Sequence, residues 1–567
     1  MTSSSSFHLF KFKLITVILL LLALTLTLFL SSLPHWESTL PLYLSRHKLL
    51  LFSLLWCASV SLVAYACTRP LPLLLLDYSC YKPDSDSRCS YELCEYFGRL
   101  SGRHSAESEA FMRAIYSKSG LGDETYAPPF LSRSDNVEAK YECAIQEAEE
   151  GMFTSVQHLL AKTDVDPSCI TVLIAACSMF TPSPSFTSML VQRFNFPPSV
   201  KTFNLSGMGC SAATTSFDLA SRLLRRRVGN ALIVVTESTS LNWYHGDNRH
   251  MLVTNCIFRL GTAAALVTSD PARRPQAKME LVQTLRTHHG ADDASYNAAI
   301  QMEDEDGNVG VALTKDLVRV AGAGLKSHIT RLAPRVLPVS EMARYACEVA
   351  RAWAAAGDRK KAAQVPDFTR AFEHMCIHAG GKAVIDAVGR LMKFSEEVVE
   401  PARMCLHRFG NTSSSLVLYE LAYFEAKGRI RRGDRVWMLA FGTGFKACSV
   451  VWRALRDSNL DPDNPWNDCF HRVRDCTSWF YAYNRIEEEQ RREILRFHST
   501  TSAGPAITVS WVGRFEVLRS REPGDPLLSL GIPRSPWTIH GVGFRGRHSR
   551  SPLRLLCCQT GESISLA

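Results

Sequence analysis

Four short segments constrain the fold more than anything else in the chain: 171–176 (TVLIAA), 231–236 (ALIVVT), 263–268 (AAALVT) and 435–441 (RVWMLAF). Each is apolar along its length, rich in β-branched or large side chains, and too short for a buried helix. Strands covered on both faces read this way, whereas half-wet strands alternate apolar and polar residues. Segment 70–76 (PLPLLLL) has the same character. Helix-like patterns at 108–119, 138–162, 211–227 and 340–356 separate these runs. Strands alternating with helices predict an α/β architecture with a parallel or mixed sheet. At 567 residues the chain has room for two domain-sized units or one large duplicated fold. No internal repeat is visible in the sequence. The polar stretch 357–366 (GDRKKAAQVP) breaks two apolar regions and places an internal boundary at 365/366.

The two ends differ from this body. Residues 14–33 (LITVILLLLALTLTLFLSSL) carry no charge and are long enough to cross a bilayer. A second apolar run, 49–66, follows a short polar turn, so 1–69 is expected to form a membrane hairpin. A signal peptide is disfavoured, because the first run exceeds a typical apolar core and a second span follows at once. Lys11, Lys13 and Arg69 flank the hairpin, but Arg46 and Lys48 sit at its turn, which leaves the positive-inside signal weak. The C-terminal stretch 471–567 is rich in arginine, glycine, proline and serine and contains no lysine. It is expected to be disordered or loosely attached rather than catalytic, or to be a translation artefact. The net charge of +9 is not gathered into a basic stripe, so nucleic-acid binding is unsupported. The 18 cysteines show no paired CxxC spacing, which argues against zinc modules and a disulfide framework and for a reducing, cytosol-facing body.

Chemistry concentrates in three places. Cys210 lies in a small-residue turn, 204–212 (NLSGMGCSA), that opens a helix-like run. Unpaired N–H groups at such a helix start lower a thiol's pKa and stabilise a neighbouring oxyanion; a buried core cysteine is the alternative of equal weight on this stretch alone. Downstream stand His374 and His378, then His407 and Asn411. A cysteine with a distant His and Asn suits acyl transfer through a thioester. A neutral imidazole N–H and an Asn amide can together donate to a thioester oxygen as it becomes an enolate on loss of carbon dioxide. His374 and His378 are spaced as two ligands on a helix face, but no HExxH pattern or cysteine pair accompanies them, so a metal site is disfavoured. His374 then serves as an orienting hydrogen-bond partner. His407 reads as structural support for Asn411. His288 either touches substrate or satisfies a loop. His245 and His250 carry no motif weight. Gly442 and Gly444 follow a buried strand, where oxyanion duty competes with an ordinary glycine turn. Arg225, Arg226 and Arg227 end the Cys210 helix and suit its C-terminal dipole better than a phosphate.

Taken together, these blocks resemble those of the plant 3-ketoacyl-CoA synthases, the condensing enzymes of very-long-chain fatty acid elongation. The resemblance rests on 77–83 (DYSCYKP), 119–126 (SGLGDETY), 204–212, 242–244 (NWY), 286–293 (RTHHGADD), 376–381 (CIHAGG), 410–415 (GNTSSS), 441–445 (FGTGF) and 464–466 (NPW). It implies a thiolase-like fold: two α/β halves, here 70–365 and 366–470, giving a five-layer αβαβα body. It implies Cys210 as acyl carrier, His378 and Asn411 as the decarboxylation site, and functional weight for His288, His374 and His407. Gly444 would supply a backbone N–H near the thioester oxygen. The implied substrates are a long- or very-long-chain acyl-CoA and malonyl-CoA, with no metal or organic cofactor. The implied setting is the endoplasmic reticulum membrane, as a homodimer alongside the elongase reductases and dehydratase. Three positions depart from the family pattern: Ala213 stands where glycine is expected, His289 where lysine is typical, and 445–449 (FKACS) reorders small and polar residues around Ala447. A type III polyketide synthase shares the thiolase body and the Cys, His, Asn set, but such enzymes are soluble. A weakly catalytic membrane subunit of the elongase is the rival from another class.

Overall fold

The computed structural model describes residues 69–133, 139–356, 365–378, 380–459 and 461–469, a few positions between 25 and 61, and the strands His540–Phe544 and Leu553–Leu556. The expected spans 14–33 and 49–66 lie almost wholly outside the described residues. Among those that are described, no helix is long and apolar enough to cross a membrane. Residues 357–364, most of the expected boundary segment, also lie outside them. The chain divides into two units, Met1–Arg485 and Ile486–Ala567. In the second unit, within the stretch expected to be irregular, the two short strands pair antiparallel.

The strands of the first unit are β1 (Leu74–Cys80), β2 (Ile170–Ala176), β3 (Lys201–Leu205), β4 (Asn230–Glu237), β5 (Gly261–Thr268), β6 (Met279–His288), β7 (Ala299–Glu303), β8 (Val309–Leu313), β9 (His374–Ile377), β10 (Arg435–Gly442) and β11 (Lys446–Ala454). The main sheet runs β3-β2-β4-β5-β1-β6-β11-β10-β9, and β7-β8 form a separate hairpin. The segments expected at 171–176, 231–236, 263–268 and 435–441 are strands of this sheet, whereas of 70–76 only Leu74–Leu76 belongs to β1, which runs on to Cys80. Every residue of β5 is buried, as is all of β4 after Asn230.

The sheet has a seam. β1 meets β6 only at Leu74↔Glu280 and Leu75↔Met279, whereas β6 pairs with β11 along its length, from Lys446↔His288 to Ala454↔Met279. On either side of the seam the same pattern appears. β2 and β4 run parallel, β5 is antiparallel to β4, and β1 is antiparallel to β5. Likewise β9 and β10 run parallel, β11 is antiparallel to β10, and β6 is antiparallel to β11. In both halves a short 3-10 turn leads into a helix that precedes the antiparallel strands: Gly209–Ser211 before Ala212–Leu224, and Ser413–Ser415 before Leu416–Ala426. The duplication that no sequence repeat betrays is therefore plain in the strand pairing.

Those two helices occupy the space between the half-sheets. Ala212–Leu224 packs on β2 and β4 from one side and on β10 and β11 from the other. Small residues (AATTS) at its start let it fit there, and Phe217 meets Trp452 of β11 edge-on at 5.1 Å. Leu416–Ala426 (LVLYELAYFEA) is buried at every residue and touches β1, β9 and β10. Burying each of its large apolar side chains contributes about 1.5–3 kcal/mol, and the enclosure takes Glu420 and Glu425 with it, Glu425 accepting from Lys278 and the Tyr78 hydroxyl. Outer helices cover the remaining faces: Tyr141–Thr163 on β1, β4 and β5, Leu317–Val336 on β6 and β11, and Glu396–Phe409 on β9. Both 3-10 turns thus open toward the middle of the molecule, and each carries a candidate catalytic residue or its neighbour.

Candidate active site

Cys210 sits at the centre of the first turn. The chain leaves β3, passes through Gly207 (φ +62°) and Gly209 (φ +58°), and enters the helix. A Cβ on Gly209 would come within 2.6 Å of the Thr443 backbone nitrogen, and one on Gly442 would strike the Met208 carbonyl at 2.3 Å. The Thr443 hydroxyl donates to the Gly207 carbonyl at 3.0 Å. So Gly442 is glycine because the strand-end turn of β10 locks against the Cys210 turn, which close approach alone explains. Gly444 has φ +62° and open space around it apart from His288 and Lys446.

The second turn brings in the other two residues. Ser413 adopts a left-handed backbone, φ +54°, just after Asn411. Its N–H donates to Asn411 Oδ1 at 2.9 Å, which turns the amide nitrogen away, toward the Gly380 carbonyl at 3.3 Å. Its carbonyl accepts the His378 Nε2 proton at 2.9 Å. Its hydroxyl lies 3.8 Å from Cys210 Sγ and donates to Glu237 Oε2 at 2.8 Å. One serine therefore ties the sulfur, the imidazole and the amide into one site. Glu237, at the end of β4, also accepts from the backbone N–H groups of Ser178 and Met179 and from the Cys177 thiol. Burial raises the Glu237 pKa against these donors.

Electrostatics here run opposite to the sequence expectation for the nucleophile. Cys210 as a residue is half-buried, but its sulfur is enclosed, and burial pushes the thiol up to about 12. Hydrogen bonding from Ser413 and Asn411 offsets this only in part, and the Glu237 charge works against a thiolate. The helix start does not outweigh desolvation at this depth. Burial holds the His378 pKa down to about 4, so its imidazole is neutral, as expected of a hydrogen-bond donor. Its Nε2 proton, however, is already given to the Ser413 carbonyl, so a substrate oxygen must share that proton or displace the carbonyl.

The remaining histidines lie elsewhere. His374 opens β9 and His378 follows its end, so the four-residue spacing belongs to a strand and separates them by roughly 13 Å rather than stacking them on a helix face. His374 Nε2 pairs with Asp434 at 2.8 Å and its ring packs on Phe424. His407 is one helical turn before Asn411, and its ring packs so closely on Gly122 that a Cβ there would meet it at 2.5 Å. His288 ends β6 opposite Lys446, exposed, with Nδ1 accepting from the Gly290 N–H at 3.0 Å. It borders the Gly444 turn, not the sulfur. Ala213 is helical and fully buried, and Ala447 is fully buried in β11, so neither departure disturbs the backbone. No group of three or more His, Cys, Asp or Glu side chains among the described residues is arranged to hold a metal. Sequence reasoning missed Ser413 and Glu237. The only signal was their closeness to the motifs: Ser413 in GNTSSS, and Glu237 at the end of a buried strand.

Comparison with known proteins identifies the family. Residues 65–353 match the model for the FAE1/type III polyketide synthase-like family, and 369–454 match that of the 3-oxoacyl-[acyl-carrier-protein] synthase III C-terminal domain. The chain is 45% identical over 417 residues to 3-ketoacyl-CoA synthase 17 of Arabidopsis thaliana, covering 73% of this chain and 85% of that one. It is 46% identical over 418 residues to 3-ketoacyl-CoA synthase 2 of the same plant, covering 72% and 78%. A probable 3-ketoacyl-CoA synthase 20 of Oryza sativa subsp. japonica is 47% identical over 418 residues, covering 72% and 79%. Among solved structures, PKS-I from the brown alga Ectocarpus siliculosus superposes with a TM-score of 0.54 at 16% identity, covering 68% of this chain and 99% of that one, which shows a shared thiolase-like fold. With a cysteine turn and an asparagine turn meeting between duplicated half-sheets, and relatives this similar over most of its length, the chain belongs to the 3-ketoacyl-CoA synthases of the FAE1/type III polyketide synthase-like family.

Proposed function

We propose that the protein condenses a long- or very-long-chain acyl-CoA with malonyl-CoA, giving a 3-oxoacyl-CoA two carbons longer, carbon dioxide and CoA. The observation that carries this reading is the convergence of Cys210, His378 and Asn411 on Ser413. Cys210 takes the acyl group and CoA leaves; the resting sulfur is not ionised, so its proton passes in that step to the departing CoA sulfur. Malonyl-CoA then loses carbon dioxide with its thioester oxygen held by the Asn411 amide and the His378 imidazole. The carbanion attacks the acyl thioester. Backbone N–H groups of Cys210 and Gly444 hold the oxyanion formed there, a contribution typically of about 3 kcal/mol per donor. Loss of carbon dioxide drives the reaction, and the residues need no metal or organic cofactor. His288, His374 and His407 support the loops around this site from outside it.

The reading extends to organisation and setting. Segment 1–69 is a two-span hairpin (14–33 and 49–66) that holds the enzyme in the endoplasmic reticulum membrane, where very-long acyl chains partition, with the body facing the cytosol. Residues 70–365 and 366–470 form the two parts of a five-layer αβαβα body, with β6 of the first part joining the half-sheet of β9, β10 and β11, and 471–567 is an appended tail. The enzyme acts as a homodimer beside the elongase reductases and dehydratase. The test is the fatty acid profile of yeast expressing the full chain or its Cys210→Ala variant. New saturated chains two or more carbons longer, absent with the variant, are expected. Products built from malonyl units alone, or elongation undiminished in the variant, would overturn the assignment.

A further inference from the structure

A second cluster of cysteines lies outside the catalytic sulfur. Cys89 and Cys94 flank the start of the helix Tyr91–Ser101, whose N-cap is Ser90. These are the positions where an apolar pair commonly staples a helix entry. Here both are thiols, both are buried, and their sulfurs stand 2.9 Å apart. A staple alone does not account for what faces them. The guanidinium of Arg259, wholly buried, points Nη2 at Cys94 Sγ (3.8 Å) and at the Tyr116 hydroxyl. Its other donors go to the Thr125 hydroxyl and to the carbonyls of Asn255 and Phe258. Among the described residues no carboxylate pairs with Arg259. A buried cation without an anion is costly, and the group placed to supply one is the Cys94 sulfur. Consistent with this, the hydrogen bond from Cys89, followed by Arg259 and Tyr116, brings the Cys94 thiol down to about 6 against burial.

Arg259 also touches the catalytic turn. Its backbone N–H donates to the Asn411 carbonyl at 2.9 Å, and the Asn411 N–H donates to the Ile257 carbonyl at 3.0 Å. Gly410 lies against the Arg259 stem so closely that a Cβ would meet Cγ at 2.3 Å. Arg259 thus spans from the thiol pair to the Asn411 turn.

We propose that Cys89 and Cys94 are a redox-responsive pair that closes to a disulfide with hydrogen peroxide, and that closure removes the anion facing Arg259 and weakens the Asn411 half of the active site. The Cys94 thiolate attacks one peroxide oxygen, and the displaced hydroxide leaves as water on taking a proton. The resulting sulfenic acid is attacked by the Cys89 sulfur; the Cys89 proton and the sulfenyl hydroxyl leave as a second water. Two thiols are oxidised and one peroxide is reduced. The effect on Asn411 rests on the function proposed above, but the disulfide itself does not.

The test uses the full chain in membranes, in a Cys210→Ala background, so that oxidation of the catalytic sulfur cannot intervene. Peroxide treatment, blocking of free thiols and cleavage after arginine release the peptide 89–99. That peptide is expected unblocked and lighter by two hydrogens, and dithiothreitol should reverse this. Malonyl-CoA decarboxylation, which needs His378 and Asn411 but no sulfur, should fall on oxidation and recover on reduction; with Cys94→Ser, which removes the sulfur beside Arg259, it should not respond to peroxide. A peptide 89–99 that stays doubly blocked while exposed Cys169 is oxidised overturns the pair. A disulfide that leaves decarboxylation unchanged overturns its link to Asn411. Mapping decides the pair whatever the chain's activity, so failure of the condensing assignment is told apart from failure of this one.

Discussion

The resting state of Cys210 makes a quantitative demand on its reactivity. A thiol raised from 9.0 to about 12 resists ionisation by as much as about 4 kcal/mol, and its thiolate population near neutral pH falls about 1000-fold. Part of that loss returns, because a more basic thiolate is a better nucleophile: with a Brønsted slope of about 0.4–0.5, roughly 16- to 32-fold is recovered. Alkylation of Cys210 by iodoacetamide at pH 7.5 should therefore run roughly 30- to 60-fold slower than for an ordinary thiol. Its rate should climb close to tenfold per pH unit up to at least pH 10. The assay is timed alkylation of the detergent-solubilised full chain, with Cys210 followed by peptide mass spectrometry and exposed Cys169 and Cys347 as references in the same tube. A rate that levels off below pH 8 would mean the sulfur is already a thiolate paired with a cation. The reasoning that desolvation and Glu237 dominate at this site would then be refuted.

Two further outcomes follow from the turns. Ser413→Ala leaves Glu237 short of one donor and Cys210 without the neighbouring hydroxyl, while the backbone bonds to Asn411 and His378 remain, so unfolding free energy should drop by about 1–3 kcal/mol and acylation of Cys210 should slow. Ser413→Gly suits the left-handed backbone and should cost less stability while slowing acylation as much; undiminished acylation in both variants would deny the hydroxyl its role. Gly209→Ala and Gly207→Ala both force a Cβ onto positive φ, but only the former meets the Thr443 backbone. Condensation should collapse in Gly209→Ala and survive in Gly207→Ala, where strain of about 1 kcal/mol is the main effect; condensation kinetics and melting curves on the two variants decide this.

How much of this was legible beforehand depended on burial. β2, β4, β5 and β10 announce themselves because both of their faces are dry. β3 (KTFNL) is a sheet edge with exposed residues, β6 (MELVQTLRTH) is wet along much of its length, and β9 (HMCI) is short, so none carries the same signal. The helical spacing read into His374 and His378 fails for the same reason: the apolar neighbours that would mark a strand are too few. At the site, Cys210, His378 and Asn411 were legible because their chemistry is rare. Ser413 and Glu237 are ordinary polar residues, and nothing but the meeting of two turns from sequence-distant halves gives them a role. The thiol's high pKa was likewise hidden, since helix starts are visible in a sequence and the depth of a sulfur is not.

The wholly dry helix Leu416–Ala426 has a consequence for how the chain comes off the ribosome. Until this segment and the strands after it have emerged, β1 lacks the helix that packs on it and the helix Ala212–Leu224 lacks β10 and β11, although all the residues of the first half-sheet have been made. A nascent chain stalled anywhere between 288 and 416 would expose that greasy surface, and a protein truncated there should aggregate rather than survive as a free-standing domain. The two halves are in this sense a single cooperative unit, completed only when its last-made interior piece arrives.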